Sequence, residues 1–211
     1  MAEIARLIEG SGAIELGFVE RERTPIWAME LGIQIHLGGM SLSDTVSMLE
    51  RYGVDRSRTA VHNWVTKADL QPDPGQSPNQ VALDETVIRV NDQQYWLYAA
   101  IDTDTNKYLH VRLFPTYNSG VASIFLGELK QKHDVEDAEF LVDGAPWLHA
   151  ALHRHGLRFH HVTHGNRNAI ERVFKELKRR TDQFANHFRH AHPDTVESWL
   201  QALAFSQNQL N

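Results

Sequence analysis

Hydrophobic positions change their period near residue 71. Before it they recur at helical spacing. Ile26, Trp27, Met29, Leu31, Ile33, Ile35 and Leu37 outline one mostly apolar helix, with Thr24 as its cap, Pro25 at the first helical position and Gly38-Gly39 as its stop. A second helix starts at Ser41 or Ser43 and runs to Gly53, with Val46, Met48 and Leu49 as its inner stripe. After the turn GVDRS a third covers about 58–67. It turns Val61, Trp64 and Val65 inward and Arg58, Thr59, His62, Asn63 and Thr66 outward. Two short helices around a glycine-containing turn, with Arg, His and Asn on the outer face, suit a helix-turn-helix that reads DNA. A plain three-helix packing unit fits the same pattern.

The stretch 71–80, QPDPGQSPNQ, has three prolines and no bulky apolar residue, and reads as a linker. Beyond it the period falls to two. Residues 81–90 alternate, with Val81, Leu83, Val87 and Val90 inward, and Asn91-Asp92 makes a turn. QYWLYAAID and YLHVRLFP follow as the second and third strands of an antiparallel meander. Next come a helix at about 119–132 with the stripe Val121, Ile124, Phe125 and Leu129, and a buried strand AEFLVD. A helix at about 145–155, a strand RFHHVT, a long helix from about Asn168 and a last helix at about 193–207 complete the chain. The order β-β-β-α-β-α-β-α predicts an α/β, RNase H-like (retroviral integrase-like) fold: a mixed five-stranded sheet with flanking helices, preceded by the helix-turn-helix.

Composition narrows the function classes. The chain has 211 residues and no cysteine, which excludes a thiol nucleophile, a thiolate zinc site and a disulfide scaffold. No apolar run approaches the ~20 residues of a membrane span, and the first residues lack the basic flank of a signal peptide, so the expectation is a cytoplasmic protein without a membrane partner. The net charge of −6 speaks against nucleic acid until it is resolved along the chain. Residues 154–189 hold nine Lys/Arg against three Asp/Glu, +6, leaving −12 for the rest. A local basic patch can bind phosphates on an acidic protein, because salt screens the remainder.

Three acids stand out. Asp84 lies inside the first strand, and a carboxylate there is costly unless it is paired or binds a cation. Asp143 ends the fourth strand, directly before Gly144; Glu171 lies in the first turn of the long helix, with Lys175 and Lys178 on its face. Each has a plainer reading, as a turn residue, a cap or a helix-start acid. With strands one and four side by side, Asp84 and Asp143 converge. His149 and His153 are spaced for a metal, but there is no HExxH motif and Ala150 stands where its glutamate belongs, so the histidines read as half-buried or phosphate-facing groups. Trp64, Trp96, Trp147 and Trp199 read as packing residues.

LDET at 83–86, VDGAPWL at 142–148 and NRNAIERVFKELKRRT at 166–181 resemble the three catalytic blocks of a DDE transposase of the insertion-sequence-six family, in its haloarchaeal-type branch. GMSLSDTVSMLERYGVDRSRTAVHNWVTKADL is similar to that family's helix-turn-helix. The resemblance implies a DNA-binding region over 1–70, a linker over 71–80 and a catalytic domain over 81–211. It implies that Asp84, Asp143 and Glu171 are the catalytic and metal-binding triad, holding Mg²⁺ with Mn²⁺ as a substitute. Arg58, His62, Asn63, Lys67, Lys175, Lys178 and Arg179 are then the DNA-binding residues. The implied activity is cleavage at terminal inverted repeats and strand transfer into target DNA, by a homodimer or larger synaptic assembly. The rival is a non-catalytic DNA-binding regulator derived from a transposase.

Overall fold

The computed structural model describes residues 14, 16–18, 24–161, 175 and 188–210, and the chain divides into two units, Met1–Leu70 and Gln71–Asn211. In the first, three helices follow one another: α1 (Ile26–Leu37), α2 (Leu42–Arg51) and α3 (Arg58–Lys67). Ser41 and Ser57 cap α2 and α3, each hydroxyl accepting the backbone N–H three residues on. The N-cap of α1 is Pro25 and not Thr24, because the Thr24 hydroxyl instead accepts a hydrogen bond from Arg56 Nε at 2.8 Å. Val61, Trp64 and Val65 are the buried side of α3, as expected. On α2 the buried stripe is Thr45 and Leu49, one turn apart, with Val46 and Met48 only half-buried. Helices meet closely at Gly32, where an added Cβ would lie 3.2 Å from Trp64 Cζ3 and 3.3 Å from Leu49 Cδ1. The missing side chain is what seats the indole.

The second unit contains β1 (Gln80–Val90), β2 (Gln93–Asp102), β3 (Tyr108–Phe114), α4 (Ser119–Lys132), β4 (Glu139–Val142), α5 (Pro146–Arg154), β5 (Arg158–His161) and α6 (Pro193–Leu210). The sheet order is β3-β2-β1-β4-β5, antiparallel among β1, β2 and β3 and parallel from β1 through β4 to β5. This mixed five-stranded sheet with flanking helices is the RNase H-like arrangement that the element order predicts. Asn91 and Asp92 both have positive φ, 51° and 63°, the two-residue turn geometry whose twist suits a β-hairpin. The Pro-rich stretch 71–79 lies against the end of α4, where Gly75 N–H donates to the Lys132 carbonyl at 2.8 Å and Gln76 N–H to His133 Nδ1 at 3.3 Å.

Both faces of the sheet are covered, but over different lengths. On one side Val81, Leu83 and Tyr98 pack with Phe125, Leu129, Leu148 and Leu152 of α4 and α5. On the other, Ala82, Ile88, Val90 and Leu97 pack with Phe188 and with Val196, Leu200 and Ala204 of α6. The α4–α5 layer stops short of the hairpin tip, so Val87, expected inward, is 47% exposed while Ile88 beside it is buried. On α4 the inner stripe is Ala122, Phe125, Leu126 and Leu129; Ile124, expected inward, is 54% exposed.

The last helix runs to Leu210, past the expected end, and its far turn has a task. Asn208 Oδ1 accepts Tyr108 N–H and its Nδ2 donates to the Tyr108 carbonyl, both at 2.8 Å. Gln201 donates to the Val111 carbonyl at 3.2 Å, and Glu197 Oε2 accepts Leu113 N–H at 2.8 Å. Side chains of α6 thus occupy backbone groups along the free edge of β3, which blocks strand addition there.

Candidate active site

The β1–β4 register builds the site. Gln80, Val81 and Ala82 pair in parallel with Glu139, Phe140 and Leu141. Continuing that register by two residues sets Asp84 opposite Asp143, just beyond the end of β4, on strands spaced about 4.8 Å apart. The two half-buried residues are therefore aligned where β4 stops and β1 runs on. Asp84 Oδ1 accepts its neighbour's N–H, from Glu85, at 2.9 Å. Asp143 Oδ1 accepts Ala145 N–H at 2.9 Å, which shapes the turn into α5. His149 Nε2 donates to the Asp143 carbonyl at 2.9 Å, and its ring lies 4.8 Å from that of Phe159. One of the two expected metal-spaced histidines is thereby a support for the Asp143 turn.

A third carboxylate joins them that the sequence reading missed. Glu85 points to the opposite side of β1 from Asp84, by strand alternation, and its Oε1 accepts Trp147 Nε1–H at 3.1 Å. Its Oε2 is buried without a hydrogen-bond partner among the described residues, and so is the hydroxyl of Tyr98, its cross-strand partner on β2. Burial first, then the charges of Asp84 and Asp143, push the Glu85 carboxyl up to about 7, against the opposing pull of the Trp147 hydrogen bond. Burial and then Glu85 also push the Tyr98 hydroxyl up. The available signal was LDET itself, two successive acids inside one strand, of which alternation must bury the second on the other face.

The donor set is all oxygen, the kind a hard divalent cation takes. Among the described residues no group of three His, Asp or Glu is arranged to hold a metal. Glu171, the third expected ligand, lies outside the described residues, as do Lys178 and Arg179. Lys175 is helical and exposed. Arg58, His62, Asn63 and Lys67 are all exposed on α3 in the first unit, and Lys67 Nζ lies 5.8 Å from the centre of the Phe18 ring. No helix among the described residues is long and apolar enough to cross a membrane.

The chain is 29% identical over 197 residues to an uncharacterized protein of Methanocaldococcus jannaschii, an alignment that spans 92% of each. Among solved structures it is similar to the catalytic core domain of BIV integrase, at 18% identity and a TM-score of 0.45 over 60% of this chain and 82% of that one. It is also similar to the dimeric HTLV-2 integrase catalytic core domain in complex with magnesium, at 14% identity and a TM-score of 0.46 over 64% and 90%. Residues 78–205, more than half of the chain, match the family model for the DDE domain of IS240-type (IS6-type) transposases, and the chain belongs to that family of DDE transposases.

Proposed function

We propose that the protein is an active transposase. It binds the terminal inverted repeats of its own insertion sequence, cuts to expose 3′-hydroxyl ends and joins them to target DNA. The observation that supports this reading is the parallel β1–β4 register, whose continuation by two residues aligns Asp84 with Asp143. Two acids cost stability there, and a protein that only binds DNA gains nothing from them. Asp84, Asp143 and Glu171 are the ligands in this reading, and Mg²⁺ or Mn²⁺ held by them supplies Lewis-acid stabilisation to the oxygens at the reacting phosphorus.

The chain's own residues do the rest. Asp143 is oriented by Ala145 N–H and, through its carbonyl, by His149. In the 1–70 region α3 enters the major groove as the recognition helix of a helix-turn-helix. Arg58, His62 and Asn63 meet base edges there, and Lys67 meets phosphate. Lys175, Lys178 and Arg179 hold the DNA backbone near the triad. The protein works as a homodimer or larger synaptic assembly in the cytoplasm, and belongs to the haloarchaeal-type branch of its family.

The test compares wild type, Asp143→Asn and the pair Arg58→Ala and Asn63→Ala on duplexes carrying the element's ends, with Mg²⁺ or Mn²⁺. Asp143→Asn is expected to bind the ends and neither nick nor join them. Each recognition-helix variant is expected to lose about 1–3 kcal/mol of specific binding. Wild type that binds the ends and never cuts them with either metal would establish the regulator instead.

A further inference from the structure

A row of aromatic rings leads away from the acids. Trp147 lies in the first turn of α5, four residues after Asp143, and its indole N–H is tied to Glu85, the chain neighbour of Asp84. Its ring lies 4.8 Å from that of Tyr117, and Tyr117 lies 5.0 Å from Trp96. Trp96 is the cross-strand partner of Val87. Val87 and Tyr117 are 47% and 44% exposed, and Trp96 and Trp147 are half-buried. This is the stretch of the hairpin that α4 and α5 leave uncovered. Arg89, exposed, lies two residues past Val87 on the same side of β1.

The shelf is rigid. The hairpin behind it is packed on its other face by Phe188, Val196 and Leu200. Its turn is fastened as well, since Asn91 Nδ2 donates to the Ala191 carbonyl at 2.8 Å and Asn91 Oδ1 accepts His190 N–H. A surface of this kind is ready to receive a flat ligand without reorganising.

We propose that Tyr117, flanked by Trp96 and Trp147, is a stacking platform for a nucleobase next to the phosphodiester held at Asp84 and Asp143, with Arg89 meeting the strand's backbone. The proposal rests on the transposase reading. Three features favour DNA over a second copy of the chain. The ring row begins at Trp147, four residues after Asp143 and tied to Glu85, the chain neighbour of Asp84, so a strand whose phosphate sits at the end of β4 has its neighbouring nucleotide within reach of the shelf. An exposed cation accompanies the rings, the combination that binds single strands through base stacking and backbone charge. The shelf is also too small for a subunit interface. An aromatic side chain offers at most about 150–250 Å², so part of Tyr117 with Val87, even with Ile124 added, falls far below the ~800 Å² per partner of a stable contact.

The experiment uses the full chain and terminal-repeat duplexes carrying 5-iododeoxyuridine at single nucleotides on either side of the cut. Irradiation is done without added divalent cation, and crosslinked peptides are mapped by mass spectrometry. A crosslink to Tyr117, Trp147 or Trp96 from a nucleotide beside the cut is expected. Strand joining is expected to drop about ten-fold in Tyr117→Ala and to stay within about two-fold of wild type in Tyr117→Phe, where the ring is kept. The crosslink decides. DNA that is bound and cut with no crosslink to these rings overturns the platform and leaves the transposase reading standing. A Tyr117→Ala chain that turns from dimer to monomer, again without the crosslink, assigns the shelf to a second copy and overturns it too. Wild type that neither binds nor cuts the repeats overturns the transposase reading and this proposal with it.

Discussion

At the β3 edge, Arg112 reaches Glu128 on α4 at 2.6 Å and Glu197 on α6 at 3.2 Å, joining the helices of both sheet faces. Glu128 also accepts His110 Nε2–H at 2.9 Å, and His110 Nδ1 accepts from Lys132 Nζ at 3.4 Å. Every charge there has an opposite or a hydrogen-bond partner. At the β1–β4 end three acids share one neighbourhood. The charges of Asp84 and Asp143 raise the Glu85 pKa, and one of its oxygens is buried without a hydrogen-bond partner among the described residues. The two clusters lie on one sheet, so their difference is not one of fold. The charges of the β3 edge alternate in sign, whereas acids gathered at one place repel one another, an arrangement that costs stability.

Neutralising one acid should separate the two clusters most sharply. With Asp84→Asn, cleavage of repeat ends is expected to fall at least about 10³-fold, while the thermal midpoint holds or rises because like charges are relieved. A melting temperature several degrees below wild type would mean that Asp84 is a structural residue like those at the β3 edge.

The next largest effect is on pH dependence. Burial lowers the His110 pKa to about 4, outweighing the hydrogen bond to Glu128, so the folded ring stays neutral. Its unfolded pKa is near 6.5, so between pH 6.5 and 4 the unfolded chain binds the extra proton. The His110 contribution is therefore complete above pH 6.5, declines as pH falls through that window and levels off below about pH 4. It amounts to about 3 kcal/mol. Urea midpoints of wild type and His110→Gln at pH 7.5, 5.5 and 4.5 measure it, and equal pH slopes in the two chains would refute a neutral buried His110.

A smaller loss is expected from Glu128→Ala, which strips a partner from both His110 and Arg112. The pair is about three-tenths exposed, 30% for Arg112 and 27% for Glu128, so the cost should be about 2 kcal/mol, between surface and buried ion pairs. Denaturant unfolding would show it. End cleavage, measured under native conditions, should stay near wild type, which keeps the two clusters functionally distinct.

Much of this was legible in the residues. Ser41 and Ser57 cap helices because short hydroxyl side chains satisfy N-terminal N–H groups locally. Asn91-Asp92 turns the hairpin because both residues tolerate positive φ. The order of elements implied the sheet, and Asp84 and Asp143 were marked by the cost of an acid inside or at the end of a strand. Local chemistry and period determine such features, since each depends on residues a few positions apart.

What only the tertiary structure decided depends on which surfaces meet. Val87 carries the apolar signature of an inner position and is exposed because the α4–α5 layer ends before the hairpin tip, and no periodicity encodes the length of a neighbouring layer. Ile124 is exposed because α4 turns Ala122, Phe125, Leu126 and Leu129 to the sheet instead. Thr24 caps nothing because Arg56, 32 positions along, takes its hydroxyl. Glu85 becomes part of the acid cluster only once Trp147, 62 residues away, donates to it and the β1–β4 register brings Asp143 opposite Asp84. Sequence by itself determined the elements and their order, through short-range capping, turn and burial preferences. The pairing of strands and the reach of the covering helices decided which side chains share a site, because electrostatic and packing energies depend on distance in space and not along the chain.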